Sequence, residues 1–244
     1  MPSNLIEKVY PQTNLQNETA DYLTARETLR VAELELMQQH ERVADLRRRL
    51  PDGTPVENYS FQEGPQDLNA GDTPVRTVRL AELFTGPGRA LVVYHMMYGK
   101  KQTEPCPMCT SFVDCINGVA AHLEQNVDLA IVMAADAPSI RTFARTRNWD
   151  RLRLLSARES TFKYDLKSED REGNQDSTIS VFTLGPDGTP RHFYSAHPRL
   201  SPEVKERGLD LLNPVWNFLD LTPAGRGNFY ARLDYPINPR MGRG

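Results

Sequence analysis

Between Glu18 and Leu50, apolar residues recur in alternating steps of three and four: Ala25, Leu29, Ala32, Leu36, Val43, Leu46 and Leu50, with Gln39 as the one polar break. That spacing predicts a single long helix carrying a heptad-like seam. Asn17 is placed to cap it, Glu18 and Asp21 suit its positive end, and Arg47 to Arg49 suit its negative end. Pro51 and Gly53 stop it. The seam fits two uses, packing across the chain's own domain or pairing with a second subunit.

The periodicity then changes. From Pro51 to Pro74 the chain is rich in Pro, Gly, Asn and Asp and reads as a connecting arm with one short strand at Asn58 to Gln62. Val75 to Leu80 predicts a strand, and Leu80 to Phe84 a helical turn. Ala90 to Met97 is an apolar, β-branched and aromatic run of the buried-strand type, ending at Gly99. A helix follows from Pro107 to Gln125, then a second buried strand from Val127 to Ala134. Pro138 opens an amphipathic helix that ends near Trp149, and Leu152 to Ser156 predicts a short strand. Thr178 to Leu184 and Arg191 to Ser195 flank Gly185-Pro186-Asp187-Gly188, a hairpin signal. Pro202 to Leu219 predicts the last helix, with Leu209, Leu212, Trp216 and Leu219 at helical spacing. Strand, helix, strand, helix, hairpin, helix is the order of a thioredoxin-type α/β fold. Three segments follow: helix and arm over 1–57, the α/β domain over 58–227, and a tail over 228–244.

Composition adds mainly exclusions. The 244 residues include 39% apolar and 25% charged positions, enough for a real core. A formal net charge of -3 gives no global attraction to nucleic acid or anionic membrane. Arg47-Arg48-Arg49 and the arginines between Arg141 and Arg153 read as solvated helix faces. No apolar stretch reaches the roughly 18 residues of a membrane span, and Met1 to Tyr10 lacks the pattern of a secretory signal. The expectation is a cytoplasmic protein.

The chemistry lies in Cys106-Pro107-Met108-Cys109. Cysteine attacks as thiolate, and a helix N-terminus, with unpaired N–H groups and partial positive charge, favours the anion. Cys106 falls where a strand has ended and a helix begins, and Pro107 suits the first helical position. Cys109, three residues on, shares that face. Cys106 is therefore assigned as attacking thiol and Cys109 as resolving thiol. Zinc would need two further ligands, and Cys115 and His122 lie too many turns away on the same helix to converge with the pair. No metal and no organic cofactor is expected. Cys115 falls on nearly the opposite helix face and reads as core. Pro107 and Ser111 precede it at a spacing one residue too long for a peroxidatic cysteine. His95 sits in the strand leading to the dithiol, as a core histidine or as one that approaches the sulfurs. His192 and His197 read as surface residues, and Tyr94, Tyr98 and Trp149 as packing aromatics. No phosphate-binding Gly-rich loop or Ser-His-Asp order is present.

The stretches VRLAELF, LVVYHMMYG, CPMCTS, NGVAAHL, LDLLN and LDLTPAGRG, spread over Val75 to Gly227, resemble a bacterial thioredoxin-like family catalogued as a domain of unknown function (number eight-nine-nine). The resemblance implies a fold relationship and thiol chemistry, with no substrate attached. Two features depart from thioredoxin-type oxidoreductases. Gln175-Asp176-Ser177 stands where a cis-proline usually precedes the strand facing the dithiol, and Glu104-Pro105 replaces the usual Trp. Two functions stay open. One is a thiol-disulfide oxidoreductase, or a thiol-dependent reductase of a small oxidant, restored by a thioredoxin or glutathione reducing system. The other is a non-catalytic interaction module, with a homodimer through the N-terminal helix in view for either.

Overall fold

The computed structural model describes residues 15–201 and 207–235, with the side chains of Arg207, Asp210 and Leu211 left aside. The chain divides between Pro51 and Asp52 into two compact units.

The first unit is helix α1, Ala20–Arg48. Thr19 caps it, its hydroxyl accepting from the Tyr22 N–H at 3.2 Å. The expected cap, Asn17, instead sits at φ 72, in the left-handed region that asparagine tolerates. No residue of α1 is buried, and Leu29, Leu36 and Leu46 along the seam are each more than half exposed.

The second unit is built on one eight-stranded sheet of order β1-β8-β7-β4-β5-β6-β2-β3. Its strands are β1 (Thr54–Pro55), β2 (Ser60–Glu63), β3 (Arg76–Arg79), β4 (Leu91–Gly99), β5 (Asp128–Ala134), β6 (Leu154–Ser156), β7 (Thr178–Leu184) and β8 (Pro190–Ala196). Helix α2 (Pro107–Leu123) connects parallel β4 and β5, and α3 (Ala137–Arg147) connects parallel β5 and β6. Antiparallel β7 lies beside β4 and carries β8 at its other edge. The central run β5-β4-β7-β8, with a crossover helix after β4 and a closing hairpin, is the thioredoxin-like arrangement. The expected elements stand within about three residues of their predicted ends, and β7 matches residue for residue.

Alternation along the strands divides the core between two faces. Tyr94, Met96, Ile131 and Met133 pack with Cys109, Phe112 and Val113 of α2 and with Ile140, Ala144 and Trp149 of and after α3. Val93, Ala130, Val132 and Phe182 point the other way, onto Tyr59, Phe61, Leu80, Leu83 and Phe162. Phe162 opens a short helix α4 (Phe162–Asp165), which no periodicity announces.

Two expectations change. The last helix does not run from Pro202 to Leu219. Residues 202–206 lie outside the described ones, a 3-10 turn covers Arg207–Leu212, and helix α5 is Pro214–Asp220. Asn213 breaks the run because a residue before proline is driven out of the helical region; it sits at φ -108, ψ 100 and caps Val215 with its side chain. Strand β1, pairing Thr54 with His192, lies in what reads as arm.

Candidate active site

Cys106 is the N-cap of α2, in extended conformation at φ -62 and ψ 125, and Pro107 takes the first helical position. Its peptide is held at both ends. Its N–H donates to the Met97 carbonyl at 3.1 Å, and its own carbonyl accepts both the N–H and the hydroxyl of Thr110, each at 2.9 Å. The long approach from β4 closes on itself: Gly99 and Gln102 exchange N–H···O bonds of 2.7 and 3.0 Å, so the chain doubles back beside Met97. Gly99 is required there. Its φ is 109, and a Cβ would fall 2.0 Å from the Ala135 nitrogen.

All three cysteines are free thiols. Cys106 is partly exposed and Cys109 is buried. Several groups meet at the Cys109 sulfur. Its S–H donates to Cys106, and the Tyr94 phenol and the Met97 N–H donate to it. The bond to Cys106 and then burial push the Cys109 thiol well above the ordinary cysteine range, while Tyr94 and Met97 pull the other way. Tyr94 is in turn hydrogen-bonded by Ser177, and burial above all keeps its phenol protonated. Ser177 belongs to the Gln175-Asp176-Ser177 segment, so the position usually held by proline contributes a hydroxyl to this chain of donors. Among the described residues the single cis peptide is Thr73-Pro74, far from here in sequence.

The dithiol faces a cavity of about 230 Å³ lined by, among others, Met108, Asp176, Arg199, Trp216 and Tyr230. Asp176 is paired with Arg199 and with His197, the latter at 3.1 Å. The segment after α5 crosses beside the opening: Ala231 is buried, and its N–H points at the Met108 sulfur at 3.1 Å. Tyr235 then anchors on Asp114 and Arg147 of α2 and α3.

The other expected residues fall apart from the dithiol. His95 is a core histidine on the opposite sheet face, stacked on Phe162 and bonded to Ser168 (2.7 Å) and Ser180 (3.1 Å). Strand alternation that sends Tyr94 to the sulfurs sends His95 away from them. His192 and His197 are partly exposed, His192 bonding Ser195 at 2.7 Å. Cys115 is half-buried, its thiol raised by burial and then by Asp114. Trp149 packs as expected, with no exposed surface. Tyr94, Ser177 and Met97 were hidden from the sequence as site residues; only strand alternation next to the dithiol marks Tyr94. Among the described residues no three His, Cys, Asp or Glu side chains gather to hold a metal ion, and no helix is long and apolar enough to cross a membrane.

Fold and site together define a thioredoxin-like chain with a CxxC pair at a helix N-terminus. It belongs to the DUF899 family, bacterial proteins of unknown function, whose family model matches residues 11–236. No curated protein matches it. Among solved structures it is similar to a mutant of PrxQ from Xylella fastidiosa (15% identity, 70% of this chain and 98% of that one, TM-score 0.46). It is also similar to AhpC of Mycobacterium tuberculosis (14%, 67% and 89%, 0.45) and to thioredoxin peroxidase I of Plasmodium yoelii (10%, 77% and 100%, 0.46).

Proposed function

We propose that the chain is a thiol-disulfide oxidoreductase acting on small oxidised molecules through Cys106 and Cys109. One observation carries this reading: a partly exposed cysteine at the helix N-cap has a buried partner thiol within hydrogen-bond reach, and donors converge on that partner. The Cys106 thiolate attacks one sulfur of a substrate disulfide, forms a mixed disulfide and releases the other half as thiolate. Cys109 then attacks the Cys106 sulfur, closing the Cys106–Cys109 disulfide and releasing the second half. Two electrons pass from the dithiol to the substrate, and a thioredoxin- or glutathione-type reductant restores the pair.

The order of steps has a physical basis. While Cys106 is free, its bond and its charge keep Cys109 protonated. Once Cys106 is tied up in a mixed disulfide both effects end, and the Tyr94 and Met97 donors favour the Cys109 thiolate when it is needed. The limit on substrate size comes from the opening, flanked by Trp216, Arg199 and the Tyr230-Ala231 segment.

A Cys109→Ser variant exposed to a small disulfide should accumulate a covalent adduct on Cys106, read by mass spectrometry, and Cys106→Ser should form none. A dithiol that forms no adduct contradicts the reading. A second reading, a non-catalytic interaction module, draws on the exposed seam of α1. A Cys106→Ser, Cys109→Ser double variant separates the two, since a module keeps its partner and an enzyme loses turnover.

A further inference from the structure

Lys163, on α4, is the one buried ammonium among the described residues, with 1% of its surface exposed. Its Nζ donates a hydrogen bond of 3.3 Å to the Met96 carbonyl oxygen, and among the described residues no carboxylate lies within ion-pair distance. The nearest acids are engaged elsewhere, Glu169 with Lys100 and Gln175, Asp176 with Arg199 and His197. A buried cation without a paired anion is costly to keep. The fold gives it a place of consequence. The Met96 carbonyl and the Met97 N–H belong to the same peptide group, and that N–H donates to Cys109. The peptide is free for this use because β4 leaves β7 after His95 and rejoins the β5 register only at Gly99.

We propose that Lys163 is a positioning residue for the resolving cysteine: its ammonium polarises the Met96–Met97 peptide, whose N–H steadies the Cys109 thiolate. The inference rests on the dithiol reading above for its biological sense. A cation on a carbonyl oxygen draws electron density from the amide and strengthens its N–H as donor, and in a dry interior the charge also acts directly on the sulfur. The charge of a Cys109 thiolate favours the protonated form of Lys163, as this arrangement requires. Lys163 further faces Glu169, Asp176, Lys100 and His95, and Cys109 faces Cys106 and Tyr94. Burial holds Lys163 down to about 8, with Cys109, Glu169 and Asp176 opposing that fall.

The test uses the full chain with Cys106→Ser and Cys115→Ser, leaving Cys109 as the one thiol of the three. Thiolate absorbance is followed against pH with and without Lys163→Met. The variant is expected to lower the thiolate fraction at a given pH about tenfold, and an unchanged titration in a folded variant overturns the proposal. Should Lys163→Met fail to fold, the reciprocal measurement decides. Nitrogen NMR of the Lys163 ammonium should show it losing its proton at lower pH in Cys109→Ser than in the parent, and an unmoved titration overturns the proposal. Neither measurement needs a disulfide to form, so failure of the redox reading is seen separately, as absence of the Cys106–Cys109 disulfide.

Discussion

The Tyr94 phenol and the Cys109 thiol form a buried hydrogen-bonded pair, the phenol backed by Ser177 and the thiol by Cys106. Hydrogen bonds to a charged acceptor contribute about 1.5–3 kcal/mol, so this phenol matters most when Cys109 is a thiolate. Tyr94→Phe keeps the edge contact with Phe112, whose ring centroid is 4.8 Å away. The variant should attack with unchanged speed and resolve the mixed disulfide about tenfold more slowly. Stopped-flow kinetics with a small disulfide separates the two steps; slowed attack with unchanged resolution would contradict the assignment.

The segment beside the opening sets what reaches Cys106. A chain ending at Gly227 loses Tyr230 from the cavity wall and Ala231 from Met108. A bulky maleimide should then modify Cys106 severalfold faster, while a small alkylating agent reacts as before. Equal acceleration of both would mean that the segment tunes the thiol rather than its access.

Lys163 gives stability a specific pH dependence. Its folded value of about 8 lies below the ordinary 10.5, so the folded chain releases this proton before the unfolded chain does. Below about pH 8 both states carry the charge and the burial cost is fully present. The cost falls away as pH rises from 8 towards 10.5, and its full size is roughly 3 kcal/mol. Lys163→Met should therefore raise the melting temperature most near neutral pH and least near the upper end of that window. Calorimetry at both ends checks this, and a pH-independent difference would contradict it.

Pairing of two chains through the seam of α1 is open to a direct test. Leu29, Leu36 and Leu46 stand on one heptad-spaced stripe and are exposed. The full chain should sediment as a dimer, and Leu29→Glu with Leu36→Glu should yield a folded monomer. A dimer that survives both substitutions does not use this stripe.

The sequence made the dithiol, its helix and the strands around it legible, because their signals are local: a buried apolar run, a proline at the first helical turn, a hairpin glycine. Residues that complete the site were not legible, for a physical reason. Tyr94 in an apolar strand looks like any packing aromatic, and only the fold shows that its hydroxyl ends at a sulfur. Lys163 sits in Thr161 to Leu166, a stretch without periodicity whose burial is decided by how α4 meets the end of β4. In the last segment, helical spacing of Leu209, Leu212 and Trp216 masks the one residue, Pro214, that divides the run.

The central claim is that Cys106 and Cys109 form a reversible redox pair. Thiol trapping with mass spectrometry across a graded dithiothreitol series tests it most directly. One two-electron transition confined to Cys106 and Cys109 is expected, at a potential between about -120 and -270 mV, with Cys115 remaining a thiol. Cysteines that stay reduced at every poise, or a disulfide that recruits Cys115, would contradict it.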